Sequence, residues 1–114
     1  MELLAVYGTL KRGKSNHRVI EKECVYHGTT WVTGWTMYDL GAYPAIAPDE
    51  EEGAISVELF DVPDLVATDR LEGYPGYYDR KQIDTPQGRA WIYYMDPGKY
   101  DLAGIPIVAR GVWE

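Results

Sequence analysis

The sharpest regularity in the chain lies at 54–60. Ile55, Val57 and Leu59 fall on one side there, and Ser56 and Glu58 on the other. A period of two marks a strand with one buried face. The run from Leu3 to Tyr7 is apolar throughout and stops at Gly8, which predicts a central strand buried on both faces. Residues 24–38 are rich in β-branched and aromatic types and read as one long strand. Trp31, Thr33, Trp35 and Met37 would share one of its faces, and Val32, Gly34, Thr36 and Tyr38 the other. Gly28 and Gly34 suggest bends, as in a strand that curves around a barrel. "GAYPA" at 41–45 reads as a turn and "PDEEEG" at 48–53 as a solvated acidic loop. "YYDRKQIDT" and "RAWIYYM", separated by "PQG", form a predicted hairpin.

Two segments carry helix signals. Ser15 or Asn16 could cap a short helix reaching about Lys22. In "DVPDLVATDRLEG", Asp61 is a possible cap, Pro63 suits the first turn and Gly73 suits the stop. The tail from Pro97 is irregular and is expected to wrap the body. The order strand, short helix, strands, helix, hairpin, tail predicts an α+β fold: one domain over 1–114, a small mixed β-barrel flanked by short helices.

The second helix poses a question of phase. From Leu65 to Glu72 is seven positions, nearly two full turns at about 100° each. Glu72 therefore points almost where Leu65 points. If Leu65 faces the core, the carboxylate does too, at a helix C-terminus where the macrodipole disfavours negative charge. Both effects raise its pKa, and such a group can act as general base and then general acid. If the helix ends a residue earlier, Glu72 swings into water instead.

The loop after the first strand, "VYGTLKRGK", offers a second constellation. Gly8 permits close backbone approach, and the successive amides of Gly8, Thr9 and Leu10 could form a concave donor site for a carboxylate or oxyanion. Lys11, Arg12 or Lys14 could add positive charge nearby. The glycine spacing of a P-loop is missing.

Composition narrows the function classes. A 114-residue chain that is 46% hydrophobic can bury a core without metals or disulfides. The net charge of −7 opposes nucleic acid and anionic membranes as partners, with "KRGK" at 11–14 the local exception. Cys24 is the one cysteine, and His17 and His27 sit in no ligand motif, so neither a disulfide nor a metal is expected. No apolar run nears the roughly 20 residues of a membrane span, and the N-terminus lacks a basic leader. The expectation is a soluble cytoplasmic protein.

"VYGTLKRGKSNH" at 6–17 resembles the opening signature of the γ-glutamylcyclotransferase-like family, and "LEGYPGYYDR" at 71–80 resembles its second, Glu-Gly followed by Tyr-x-Arg. "GAYPA" is similar to a family turn between them. The resemblance runs from residue 3 to about 95 and is closest to the bacterial and γ-glutamylamine cyclotransferase branch. It implies a small mixed β-barrel with flanking helices and release of 5-oxoproline from a γ-glutamyl amine or peptide, with no cofactor. By position it implies Glu72 as the acid/base and Tyr7, Gly8, Thr9 and Leu10 as the loop that holds the γ-glutamyl group largely through its main chain. The tyrosine of Tyr-x-Arg falls on Tyr78, ahead of Arg80, with Tyr77 adjacent; Tyr74 and Tyr77 are expected to pack. The alternative on the same fold is a non-catalytic module that binds a small carboxylate or amino-acid end. The aromatic content also fits a single-strand nucleic-acid binder, which the net charge opposes.

Overall fold

A computed structural model describes residues 1–49 and 53–114. Its larger sheet has five strands in the order β2-β5-β1-β7-β6. These are β1 (Glu2–Val6), β2 (Val25–Thr33), β5 (Ala54–Val62), β6 (Asp79–Thr85) and β7 (Gly88–Tyr94). The smaller sheet pairs β3 (Trp35–Asp39) with β4 (Pro44–Pro48). A single turn of 3-10 helix covers His17–Val19, and one α-helix, α1, covers Val66–Glu72.

β1 takes the central place its sequence predicts. It runs antiparallel to β5 and parallel to β7. Leu4 and Val6 enter a core with Phe60, Val62 and Leu65, while Ala5 and Tyr7 enter another with Val57, Leu59 and Ile92. The alternation in β5 holds, with Ile55, Val57 and Leu59 buried and Ser56 and Glu58 half-buried. The hairpin is also as predicted, Thr85 pairing with Gly88 across a two-residue loop.

The expected barrel is corrected to an α+β fold with an open mixed sheet edged by β2 and β6. The reason lies at Gly34, whose φ of 92° is left-handed. It splits the long strand expected over 24–38 into β2 and β3 and sends β3 into the separate sheet. It also resets the side-chain phase. Trp31, expected beside Trp35 and Met37, is 56% exposed, whereas Val32, Trp35 and Met37 all belong to one core cluster. "GAYPA" contributes to β4 rather than only turning: Ala45, Ile46 and Ala47 are buried. Of the acidic loop, residues 50–52 lie outside the described residues.

The helix expectations divide. The helix foreseen to Lys22 shrinks to one 3-10 turn, and Asn16 makes no side-chain cap there. In α1, Gly73 is the stop foreseen, with φ of 67°. Its N–H reaches Arg70 O and the N–H of Tyr74 reaches Asp69 O, which closes the last turn in a Schellman pattern. Asp61 is not the cap; it remains in β5 and meets His27 Nε2 at 2.7 Å, while Asp64 Oδ1 accepts from Val66 N at 2.9 Å. Among the described residues no helix is long and apolar enough to cross a membrane.

The tail wraps the body as foreseen. Val108 N donates to Met37 O and Ser56 N donates to Gly111 O, each at 2.8 Å. Gly111 has φ of 70°, and a Cβ there would run into the carbonyl of Ala54. Gly111→Ala should therefore lose roughly 1–2 kcal/mol from backbone strain, read as a lower midpoint in urea unfolding. An unchanged midpoint would show that the tail yields freely.

Candidate functional site

A cleft of about 240 Å³ opens where the end of β1, the loop after it, β4 and the C-terminus of α1 converge. Gly73 ends the helix with Glu72 as its last residue, and the segment behind is tied back onto it. Tyr77 N donates to Gly73 O at 3.1 Å and Tyr78 N donates to Glu72 O at 3.3 Å. Leu65 is buried and Glu72 lines the cleft, as the seven-residue spacing predicts. Between them Thr68, not Val66, Ala67 or Leu71, takes the buried helical position.

The Glu72 residue is half-buried, and its carboxyl is shielded enough that desolvation raises its pKa from 4.5 to about 7. Among the described residues that carboxyl has no hydrogen-bond or ion-pair partner. Tyr7 and Tyr78 line the same cleft. Both hydroxyls are pushed well above the usual tyrosine range, first by burial and then by their charged neighbours, including Glu72. Each is anchored on the main chain. Tyr7 Oη donates to Tyr93 O at 2.9 Å, and Tyr78 Oη donates to Pro44 O at 2.8 Å.

Gly8, Thr9 and Leu10 line the same cleft. Their carbonyls are occupied: Lys11 N donates to Gly8 O at 3.1 Å, Asn16 N to Thr9 O at 2.9 Å, and His17 Nδ1 meets Leu10 O at 2.8 Å. Within a peptide plane the N–H points away from the preceding C=O. Capturing the carbonyls of Gly8 and Thr9 thus aims the amides of Thr9 and Leu10 the other way. Among the described residues the amides of Gly8, Thr9 and Leu10 have no backbone acceptor. Gly8 is also required for space, since a Cβ would sit 2.7 Å from Pro44 Cγ and 2.8 Å from Pro44 Cδ. Gly8→Ala should weaken ligand binding in the cleft roughly 10- to 100-fold by displacing the loop from its position; calorimetric titration reads this, and unchanged affinity would show that Pro44 gives way.

The charges expected from 11–14 go elsewhere. Lys11 is 9% exposed and its Nζ donates to Trp113 O at 2.7 Å. Arg12 lies over the Tyr26 ring and pairs with Glu58. Neither they nor Lys14 line the cleft, and no lysine or arginine does among the described residues. Arg80 is likewise structural: it is held between the Tyr74 and Trp91 rings and bonds Asp69 Oδ1 at 2.9 Å.

Sequence reasoning placed Tyr7, Gly8, Thr9, Leu10, Glu72 and Tyr78, and the fold brings all six to one cleft. It missed Tyr43, Pro44 and Tyr93, and treated Asn16 only as a cap. Tyr77, expected to pack, stands at the cleft with its Oη 2.7 Å from Tyr43 Oη. That bond, ahead of burial, raises the Tyr77 pKa to about 12.

The model of the family described as "Gamma-glutamyl cyclotransferase, AIG2-like" matches residues 4–114. The chain belongs to this family. A Vibrio cholerae protein named "Putative gamma-glutamylcyclotransferase" is 38% identical over 91 residues, covering 80% of this chain and 79% of its own. The gamma-glutamylcyclotransferase family protein YtfP of Escherichia coli K12 is 30% identical over 112 residues, covering 95% of this chain and 92% of its own. Among solved structures, an AIG2-like protein from Mus musculus superposes with a TM-score of 0.81 at 21% identity, over 100% of this chain and 88% of that one. At that identity the likeness speaks for the fold alone. Family membership was thus readable from the two signatures at 6–17 and 71–80, and the site residues they contain share one cleft in this chain.

Proposed function

We propose that this member of the gamma-glutamyl cyclotransferase family releases 5-oxoproline from a γ-glutamyl amine or peptide, with Glu72 as the acid/base. The observation that carries the reading is a carboxyl whose pKa is raised to about 7, without a partner among the described residues, in the same cleft as the loop of Gly8, Thr9 and Leu10. A group poised near neutral pH can both accept and return a proton.

In the proposed reaction the substrate's α-amine attacks its own γ-carbonyl. Glu72 takes a proton from that nitrogen as the new N–C bond forms. The same carboxyl then gives the proton to the departing amine as the old C–N bond breaks. Attack is intramolecular, so the cleft has mainly to hold the γ-glutamyl chain in a bent pose. The amides of residues 8–10, which have no backbone acceptor among the described residues, are suited to the substrate carboxylate or to the oxyanion that develops on the γ-carbonyl. The hydroxyls of Tyr7 and Tyr78, kept protonated and tied to main-chain carbonyls, are suited to shape the walls.

The test is a panel of γ-glutamyl amines and γ-glutamyl dipeptides incubated with the purified protein, with 5-oxoproline measured directly. Release above the uncatalysed rate is expected for at least one member. A panel with no release, alongside calorimetric binding of 5-oxoproline, would instead describe a small-molecule binding module.

A further inference from the structure

The proposed chemistry uses the main chain of residues 8–10 and leaves several side chains of the cleft, Thr9 and Asn16 among them, without a role. Asn16 Nδ2 donates to Thr9 Oγ1 at 2.9 Å, and Asn16 N donates to Thr9 O at 2.9 Å. The second bond is made by the main chain and does not depend on the side chain at position 16. The first is directional. An amide NH2 can only donate, so the threonine oxygen is an acceptor toward Asn16 and its own proton must turn elsewhere. Among the described residues that proton meets no acceptor.

We propose that Asn16 sets the polarity of the Thr9 hydroxyl, making it a donor to an anionic oxygen of the bound ligand, beside the amides of residues 8–10. Asn16 is then a positioning residue that acts through Thr9, and the pair determines specificity for a carboxylate or oxyanion. The cleft has no lysine or arginine among its described lining residues, so neutral donors must do this work. One added donor of fixed direction therefore matters more than it would beside a cation. The inference rests on the cleft being the ligand site of the proposed function.

A double-mutant cycle read by calorimetric titration with 5-oxoproline tests it. Asn16→Asp replaces the donor by an acceptor, which turns the Thr9 proton away from the ligand and also adds a negative charge. Thr9→Val removes the hydroxyl at similar size, and Thr9→Ser retains it. Expected are about 10-fold weaker binding for Thr9→Val, affinity within about 2-fold of wild type for Thr9→Ser, and a larger loss for Asn16→Asp. The deciding result is coupling: Asn16→Asp should weaken binding several-fold less in the Thr9→Val background than in the wild type. Charge repulsion alone would weaken both backgrounds equally. Equal losses, a Thr9→Ser variant as weak as Thr9→Val, or a wild type that does not bind 5-oxoproline would each overturn the proposal. Additive effects in a protein that releases 5-oxoproline normally defeat this proposal alone. Coupling without turnover defeats the enzymatic reading alone.

Discussion

Glu72→Gln should cut 5-oxoproline release by orders of magnitude and, above about pH 5, make the protein more stable. The first half follows from the proton transfers. Glutamine matches the size of glutamate but neither takes nor returns a proton, so turnover should fall by roughly 10²–10⁴-fold, the usual share of a general acid/base. Binding of 5-oxoproline should survive within a few-fold. The second half follows from linkage. Burial raises the carboxyl from 4.5 to about 7, so the folded state holds this proton more tightly than the unfolded chain does. The stability from that proton is full below about pH 4.5 and is lost as pH rises through about 7. Glutamine does not titrate. The variant should therefore gain on the wild type between pH 5 and 8, by on the order of 2 kcal/mol, and match its trend below pH 4.5. Urea unfolding at pH 4.5 and pH 8 measures this. A gap that does not widen with pH would mean the carboxyl is not desolvated; full activity in the variant would remove Glu72 from the chemistry.

The second large effect should come from Asp69→Ala, a change at a residue that does not itself line the cleft but holds the hydroxyl of Tyr93, which does. Asp69 accepts from Arg80 Nε at 2.9 Å and Nη2 at 3.3 Å, and from Tyr93 Oη at 2.7 Å. The Tyr93 hydroxyl in turn meets Thr68 Oγ1 at 2.8 Å. This network fastens α1 to β6 and β7. Removing the carboxylate leaves a guanidinium held between two aromatic rings without its counter-charge. Breaking a fully buried pair costs 3–5 kcal/mol, but the side chains of Arg80 and Asp69 keep 18% and 23% of their exposure. The expectation is therefore about 2–3 kcal/mol, a fall in Tm of roughly 10 °C. Activity should fall with it even where the variant is folded, because α1 carries Glu72. A Tm within about 2 °C of wild type would show that solvent replaces the carboxylate.

What could be read from the sequence, and what could not, divides along a physical line. The alternation at 54–60 and the two strands of the hairpin each lie within a stretch of uniform backbone, where side-chain direction is a matter of counting, and the Leu65–Glu72 spacing holds although Leu65 only precedes the helix. Gly73 was legible because a helix end favours a residue that tolerates positive φ. Counting fails across Gly34, because one left-handed residue resets the phase of everything beyond it. That put Trp31 on the wrong face and joined two strands into an imagined barrel wall. The place of residues 8–10 in the cleft was legible, but the directions of Lys11 and Arg12 were not. Lys11 ends on Trp113 O, 102 residues away, and nothing local in "KRGK" encodes that. The role of Asn16 was hidden for a similar reason: a good capping residue was spent on the side chain of Thr9, seven positions back.

The lack of lysine or arginine among the described residues of the cleft wall carries a calorimetric signature. An anionic ligand seated beside Glu72 finds no lysine or arginine among the described lining residues, so it drives the carboxyl, already at about 7, toward its protonated form. Association near neutral pH should then draw a fraction of a proton from the buffer. The observed heat should differ between phosphate and Tris at the same pH in proportion to their ionisation enthalpies, and the difference should vanish in Glu72→Gln.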